Sequence, residues 1–199
     1  DGDVDIEHID NGQALSVTFR ECALSPEYIK WLSWIPEVSD VGLEYYTEEQ
    51  TAGERNVIEG SLFQQSAIEE LSRLSGLQTL SLKGTLFTDD VIQHVVELKG
   101  LRSLELSTPR LTGATLAQLE QLPGLQEISF SSCEELTDEG LLAIAAIPGI
   151  RSVSLVDGKK ITSKGLAGIL TLPQLEKLTL YEAAKSLEEQ FLEKLAASH

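Results

Sequence analysis

The sequence predicts an α/β fold in which about seven strand–helix units stack into a solenoid, with a curved parallel sheet on its concave side. Three observations support this prediction. A short apolar frame recurs along the chain, each copy is followed by apolar residues at helical spacing, and the first residues alternate as in a β-hairpin. The length of 199 residues suits one domain with a substantial core, so we treat residues 1–199 as a single repeat domain.

The repeating frame has apolar residues at its first, fourth and sixth positions. Its seven copies begin at Ala14, Val38, Leu77, Leu101, Leu125, Ile150 and Leu175. Successive copies start 24 or 25 residues apart, except for a gap of 39 residues between the second and the third. The excess of about 15 residues predicts an insertion, which we place at residues 44–60. Each frame is expected to form one strand, and the residues between frame positions, mostly Ser and Thr, to point to the open face.

Apolar residues spaced three apart follow each frame and predict one short helix per unit. The sets expected to point inward are Ile29/Leu32/Ile35, Ile68/Leu71/Leu74, Ile92/Val95/Leu98, Leu116/Leu119/Leu122, Leu141/Ile144/Ile147 and Leu166/Ile169/Leu172. Hydroxyl residues stand at the expected N-cap positions, namely Ser25, Thr88, Thr112, Thr137 and Thr162. Because one unit cannot bury its apolar face alone, the units are expected to share one continuous core.

Both ends of such a stack need a cap. Apolar residues alternate in residues 1–13 and meet an Asn–Gly turn signal, which predicts a cap strand within an N-terminal β-hairpin. A two-residue loop would place Ile6 opposite Val17. Residues 184–199 are predicted to form a C-terminal capping helix.

The fullest copy of the repeat spans residues 125–141. It combines the apolar frame with a cysteine at position 133, then Leu-Thr-Asp, then Gly-Leu. This pattern resembles the ribonuclease-inhibitor-like, cysteine-containing class of leucine-rich repeats, which occurs in F-box proteins and in bacterial repeat proteins. The resemblance covers about residues 14–195. The chain departs from that class at the cysteine position, which is occupied in turn by Cys22, Tyr46, Thr85, Pro109, Cys133, Gly158 and Ala183.

The net charge of the chain disfavours negatively charged partners. With 15 Lys and Arg against 32 Asp and Glu, the net charge is -17, which disfavours binding to nucleic acids and to anionic membrane surfaces. Residues 1–60 hold 14 acidic and three basic side chains, so a protein partner that docks there is expected to be basic. No apolar run approaches about 18 residues, so no membrane insertion is expected in this stretch.

The sequence offers no catalytic constellation. His8, His94 and His199 are not brought together by the repeat geometry, and no phosphate-binding or nucleophile motif occurs. Cys22 and Cys133 stand at equivalent positions four units apart, about 19 Å at the spacing of stacked strands, which is too far for a disulfide. Both are expected to be buried thiols. We therefore predict no enzymatic activity, no cofactor and no metal site.

Six of the eleven aromatic residues cluster near the N-terminal end. They are Tyr28, Trp31, Trp34, Tyr45, Tyr46 and Phe63. Two interpretations remain open: these residues cap the stack and pack under the inserted loop, or they form an exposed aromatic patch with acidic surroundings that docks a protein. We place the predicted partner-binding site on these six residues.

The leading functional hypothesis is a non-enzymatic protein–protein interaction module. The alternative is a structural or regulatory repeat domain of a larger, envelope-located protein. The absence of methionine, and hence of an initiator Met, favours that alternative, because it indicates that the chain has been processed or trimmed. An enzymatic site in the insertion is a third hypothesis, supported by loop length alone. Localisation cannot be read from this N-terminus.

Overall fold

A computed structural model describes residues 3–9, 14–20, 30–32, 34–35, 37–45, 66, 68–147 and 149–182. These residues form an α/β structure built on one eight-stranded sheet. Its strands are β1 (Asp3–Ile9), β2 (Ala14–Arg20), β3 (Val38–Glu44), β4 (Thr79–Lys83), β5 (Ser103–Ser107), β6 (Glu127–Ser131), β7 (Ser152–Val156) and β8 (Lys177–Tyr181).

The strands lie in the sheet in the order in which they occur along the chain. β1 is antiparallel to β2, and Ile6 pairs with Val17, which confirms the predicted N-terminal hairpin. From β2 to β8 all neighbours are parallel. The register joins equivalent frame positions throughout: Leu104 pairs with Ile128, and Ile128 pairs with Val153. The frame therefore predicted both the strands and their register.

One hydrophobic cluster lies on a single side of the sheet. In β4, β5 and β7 the residues alternate strictly between half-buried and buried, as expected when one face packs on a core and the other meets water. The inward sets predicted from Ile68 to Leu172 are all buried. Phe87 and Phe130 are the largest of the fully enclosed side chains.

The helical segments of the described chain are short. The α-helices described from end to end are α1 (Ile92–Val95), α2 (Asp138–Ile144) and α3 (Ser163–Ile169); residues 30–32 and 68–71 are also helical, while Asp89–Val91 and Leu116–Gln121 are 3-10 helices. The prediction of one α-helix per unit is thus wrong between β5 and β6. The units with the 3-10 segments are one residue shorter than those with α2 and α3. A 3-10 helix rises about 2.0 Å per residue, whereas an α-helix rises about 1.5 Å. A 3-10 helix therefore covers the distance between two successive strands with fewer residues.

The predicted N-caps are correct where the α-helix is longest. Thr137 accepts a hydrogen bond from the N–H of Gly140 at the start of α2, and Thr162 accepts one from Lys164 at the start of α3. Thr88 makes no such bond, and Thr112 precedes a 3-10 helix whose N-cap is Thr115. Among the described N-caps, a hydroxyl therefore accepts such a bond only where the unit has room for two α-helical turns.

Several predicted features lie outside the described residues. They are the hairpin turn, the N-cap Ser25, the insertion beyond Tyr45, the capping helix at 184–199, and the repeat positions Cys22, Tyr46 and Ala183.

Candidate functional site

The helical turn that precedes β3 carries a pair of tryptophans. Residues 30–32 are helical, and the N–H of Trp34 donates to the carbonyl of Trp31 at 3.1 Å. Residues three apart lie on the same side of such a turn, so the two indoles share a face. Leu32 is buried in the core. The turn is therefore anchored through Leu32 and presents Trp31 and Trp34 on another side.

Both indoles are exposed, with 55% of the surface of Trp31 and 74% of that of Trp34 accessible. Ile35 is exposed as well, which corrects the expectation that it belongs to the inward set. Ile35 lies in the turn that leads into β3, where its carbonyl accepts from the N–H of Val38 at 3.2 Å. Its N–H donates to the carbonyl of Leu32 at 2.9 Å, so it lies on the side of Leu32, but 37% of its surface remains accessible.

Exposed large apolar side chains are concentrated at the N-terminal end of the described chain. Of seven such residues, five occur in the first 35 positions. The five are Val4, Ile6, Trp31, Trp34 and Ile35. The other two, Leu170 and Tyr181, belong to the last described units. Val4 and Ile6 belong to the predicted cap strand, and their exposure was not predicted, although the outer strand of a hairpin has a neighbour on one side only.

Tyr45 occupies a different environment from the tryptophans. It is half-buried against the core, and its ring meets that of Phe87 edge-on with centroids 6.3 Å apart. Tyr45 follows β3, whereas Trp34 precedes it, and a seven-residue strand spans about 20 Å. Tyr28, Tyr46 and Phe63 lie outside the described residues. That the six aromatic residues form one binding site stays a prediction.

A row of ion pairs crosses the open face of the sheet from β1 to β5. Arg20 contacts Asp5 and lies 3.0 Å from Glu44. Lys83 lies 3.7 Å from Glu44 and 3.6 Å from Glu105. The row compensates most of its own charge, and exposed pairs of this kind contribute little stability. This row was not predicted from the sequence, although the parallel register places Arg20, Glu44 and Lys83 side by side.

Beyond this row, the open face is mainly small and hydroxylic. Its middle line, read across the sheet, is Thr18, Gly42, Ser81, Glu105, Ser129, Ser154 and Thr179. These positions are half-buried for the most part and contain no aromatic residue. This middle line thus lacks the Trp, Tyr and Arg side chains that dominate interface energetics.

The titratable residues of the described chain form no catalytic arrangement that we can identify. Within these residues, no group of three His, Cys, Asp or Glu side chains is placed to hold a metal ion. His8 is exposed on β1, and His94 meets Gln93 at 3.3 Å. The consecutive acids Glu134 and Glu135 pair with Lys159 and Lys160 of the next unit.

Cys133 is a buried free thiol, as predicted. Its Sγ donates to the carbonyl of Leu106 in the preceding unit at 3.3 Å. Burial raises the pKa of this thiol, only partly offset by hydrogen bonds to Thr108 and Ser131. A thiol with these properties is a poor nucleophile, because the reactive species is the thiolate. Its bond between neighbouring units indicates a structural role.

Comparisons with known proteins add no identification. No protein-family model matches the chain, and no curated protein matches it at a significant level. Within the described residues, no helix has the length and apolar character needed to cross a bilayer.

Proposed function

We propose that this chain is a non-enzymatic protein-interaction module built as a leucine-rich-repeat solenoid. The observation that supports the function is the exposed pair Trp31 and Trp34. Tryptophan is the side chain most enriched among residues whose truncation weakens protein complexes. Two of them on one face of an anchored turn form a preorganised contact surface.

The repeat architecture is supported by features that recur from unit to unit. The register advances by 24 or 25 residues at each step from β4 to β8. A residue with positive φ follows the strand in four of these five units, namely Gly84, Ser132, Asp157 and Glu182. The thiol of Cys133 bonds back to the previous unit, which is in keeping with the cysteine-containing class. Such recurrence is what stacked equivalent units require.

The energy available from the tryptophans sets the size of the partner surface. A fully buried Trp removes about 250 Å² from water, so the exposed parts of Trp31 and Trp34 amount to about 320 Å². At about 25 cal/mol per Å², their burial would contribute about 8 kcal/mol before the cost of association. That cost is about 4–15 kcal/mol, so the partner must contact more of the chain than the two indoles.

The charge around the turn favours a basic partner. Residues 1–60 hold 14 acidic and three basic side chains, and Glu37 stands exposed beside the tryptophans in sequence. A field of this sign accelerates association with a basic protein and repels nucleic acids. Binding is therefore expected to weaken as salt is raised, because exposed charges are screened beyond about 8–10 Å.

The test compares the partners captured by three forms of the purified chain. The double variant Trp31→Ala/Trp34→Ala removes the proposed contact. The matched control is Tyr181→Ala, which truncates an exposed aromatic side chain at the other end of the described sheet. Partners identified with the wild type are then mixed as pure proteins with each form, and affinities are measured by calorimetry.

We expect the double variant to lose at least tenfold in affinity, about 1.4 kcal/mol, with an unchanged circular-dichroism spectrum. The control should bind like the wild type. Equal binding by all three forms would refute the aromatic site. Loss of folding in the double variant would instead favour the packing interpretation, and then the alternative role as a structural or regulatory repeat domain would stand.

A further inference from the structure

The second candidate surface is the outer edge of β1. This strand is first in the sheet, and among the described residues it pairs only with β2. It extends over seven residues, from Asp3 to Ile9. The outer edge of a strand presents backbone N–H and C=O groups that another extended segment can engage. Addition of a strand at such an edge is a common mode of peptide recognition.

On the core side of the sheet, β1 leaves apolar surface open. Val4 and Ile6 are 50% and 62% exposed, although their cross-strand partners Phe19 and Val17 are buried. Directly paired residues point to the same side of a sheet, so Val4 and Ile6 continue the apolar face of the core outward. A further strand with apolar residues on this side would cover them.

On the opposite side, β1 is acidic. Asp3, Asp5 and Glu7 point to the open face, because their partners in β2 belong to that face. Arg20 forms ion pairs with Asp5 of β1 and with Glu44 of β3. On this face of β1 and β2, acidic side chains therefore outnumber basic ones.

This charge pattern selects the partner. A second copy of the chain pairing through β1 would set the same acidic residues against one another, and like charges on adjacent strands are destabilising. A segment that alternates apolar with basic residues satisfies both sides, since side chains in a strand alternate between faces. Its apolar residues would cover Val4 and Ile6, and its basic residues would meet Asp3, Asp5 and Glu7.

We propose that the outer edge of β1 binds an extended protein segment of alternating apolar and basic residues by adding it to the sheet as a further strand. This surface goes beyond the tryptophan pair of the proposed function, and its test does not depend on that pair. The free energy comes from backbone hydrogen bonds and apolar cover, while the choice of partner comes from charge.

The probe is a fluorescent synthetic peptide of about nine residues that alternates lysine with valine, long enough to span β1. A second peptide replaces the central valines with proline, which keeps the charge but removes backbone donors. A third alternates glutamate with valine. Each is titrated with the full chain by fluorescence anisotropy at about 0.05 M and about 0.5 M salt.

The variant Ile6→Lys places a charge on the apolar side of the edge, and Glu7→Gln removes one carboxylate from the acidic side. Leu170→Lys is the matched control, because Leu170 is also an exposed apolar residue but belongs to a late unit. Val4→Lys serves in place of Ile6→Lys should that variant fail to fold. Amide exchange of β1 gives an independent readout, because strand addition protects its outward N–H groups.

We expect the lysine–valine peptide to bind the wild type and Leu170→Lys equally, and to bind Ile6→Lys at least about tenfold more weakly. Glu7→Gln should weaken binding and reduce its salt dependence, and β1 amide exchange should slow on binding. Equal binding of the proline or glutamate peptide would overturn the proposal, as would undiminished binding to Ile6→Lys. Self-association that Ile6→Lys abolishes would overturn it in favour of a second copy.

Discussion

Replacing Ile128 with alanine tests the packing of the core beneath the centre of the sheet. Ile128 is buried in the middle of β6, where it pairs with Leu104 on one side and Val153 on the other. Its side chain thus contributes to the interfaces with both neighbouring units. The adjacent residue Ser129 points to the open face and is half-buried, so Ser129→Ala is the matched control.

The expected magnitude follows from the removed volume. Ile128→Ala deletes three carbon atoms, which at about 0.8 kcal/mol for each buried group gives about 2.4 kcal/mol. A cavity between Leu104 and Val153 adds to this, because neighbouring units relax only in part, so the total should be about 2–5 kcal/mol. Ser129→Ala leaves no cavity and should stay within about 0.5 kcal/mol.

The measurement is urea unfolding followed by circular dichroism. With a slope of about 3 kcal/mol per molar, the midpoint of Ile128→Ala should fall by about 1 M, while that of Ser129→Ala should not move detectably. Equal midpoints for the two variants would refute the assignment of inward and outward positions in β6. A greater loss for Ser129→Ala would mean that the open face, not the shared core, holds adjacent units together.

Two further predictions concern bonds between units. Asp89 accepts hydrogen bonds from the N–H and hydroxyl of Thr112 in the next unit, so Asp89→Ala should cost about 1–3 kcal/mol in chemical unfolding. The exposed neighbour Asp90 should be replaceable by alanine within about 0.5 kcal/mol, and an equal loss for both would contradict the structural role. In a Cys22→Ser background, Cys133 should react with a thiol reagent only when the chain is unfolded, because burial raises its pKa and blocks access. Rapid labelling of the folded chain would contradict that burial.

The sheet could be predicted from the sequence because the apolar frame indicates both the length of each repeat and the positions within it that form the strand. An apolar residue at every second position fixes which face is buried, and a constant interval between copies fixes the register. That is why Leu104, Ile128 and Val153 align as expected. A slip of one residue would have turned the whole apolar set to solvent.

The candidate site was less predictable, because exposure at the end of a stack depends on what is adjacent. The sequence marks Trp31 and Trp34 as residues beside the inward set but does not say what covers them. Ile35 follows the helical period in the sequence, yet 37% of its surface stays accessible. Tyr45 packs on Phe87 beyond the far end of β3, whereas the two tryptophans precede that strand. Nearness in sequence therefore does not by itself place Tyr45 beside them.

Arg20 offers a way to separate the structural role of the acidic N-terminal edge from its proposed binding role. Its guanidinium contacts Asp5 of β1 and Glu44 of β3, and both side chains of the first pair are nearly half exposed. Exposed pairs contribute about 0–1 kcal/mol, so Arg20→Gln should lower stability only slightly. The same change removes the positive charge that opposes Asp3, Asp5 and Glu7.

Binding of the lysine–valine peptide to Arg20→Gln should therefore strengthen, and its salt dependence should steepen, while the unfolding midpoint falls a little. The two effects have opposite signs, which a general loss of structure cannot produce, because disorder of β1 would weaken both stability and binding. Anisotropy titrations at two salt concentrations, paired with urea unfolding of the same samples, measure both. Weaker binding by a folded Arg20→Gln variant would show that Arg20 positions β1 rather than masking its charge, and selection of the partner by charge would then be wrong.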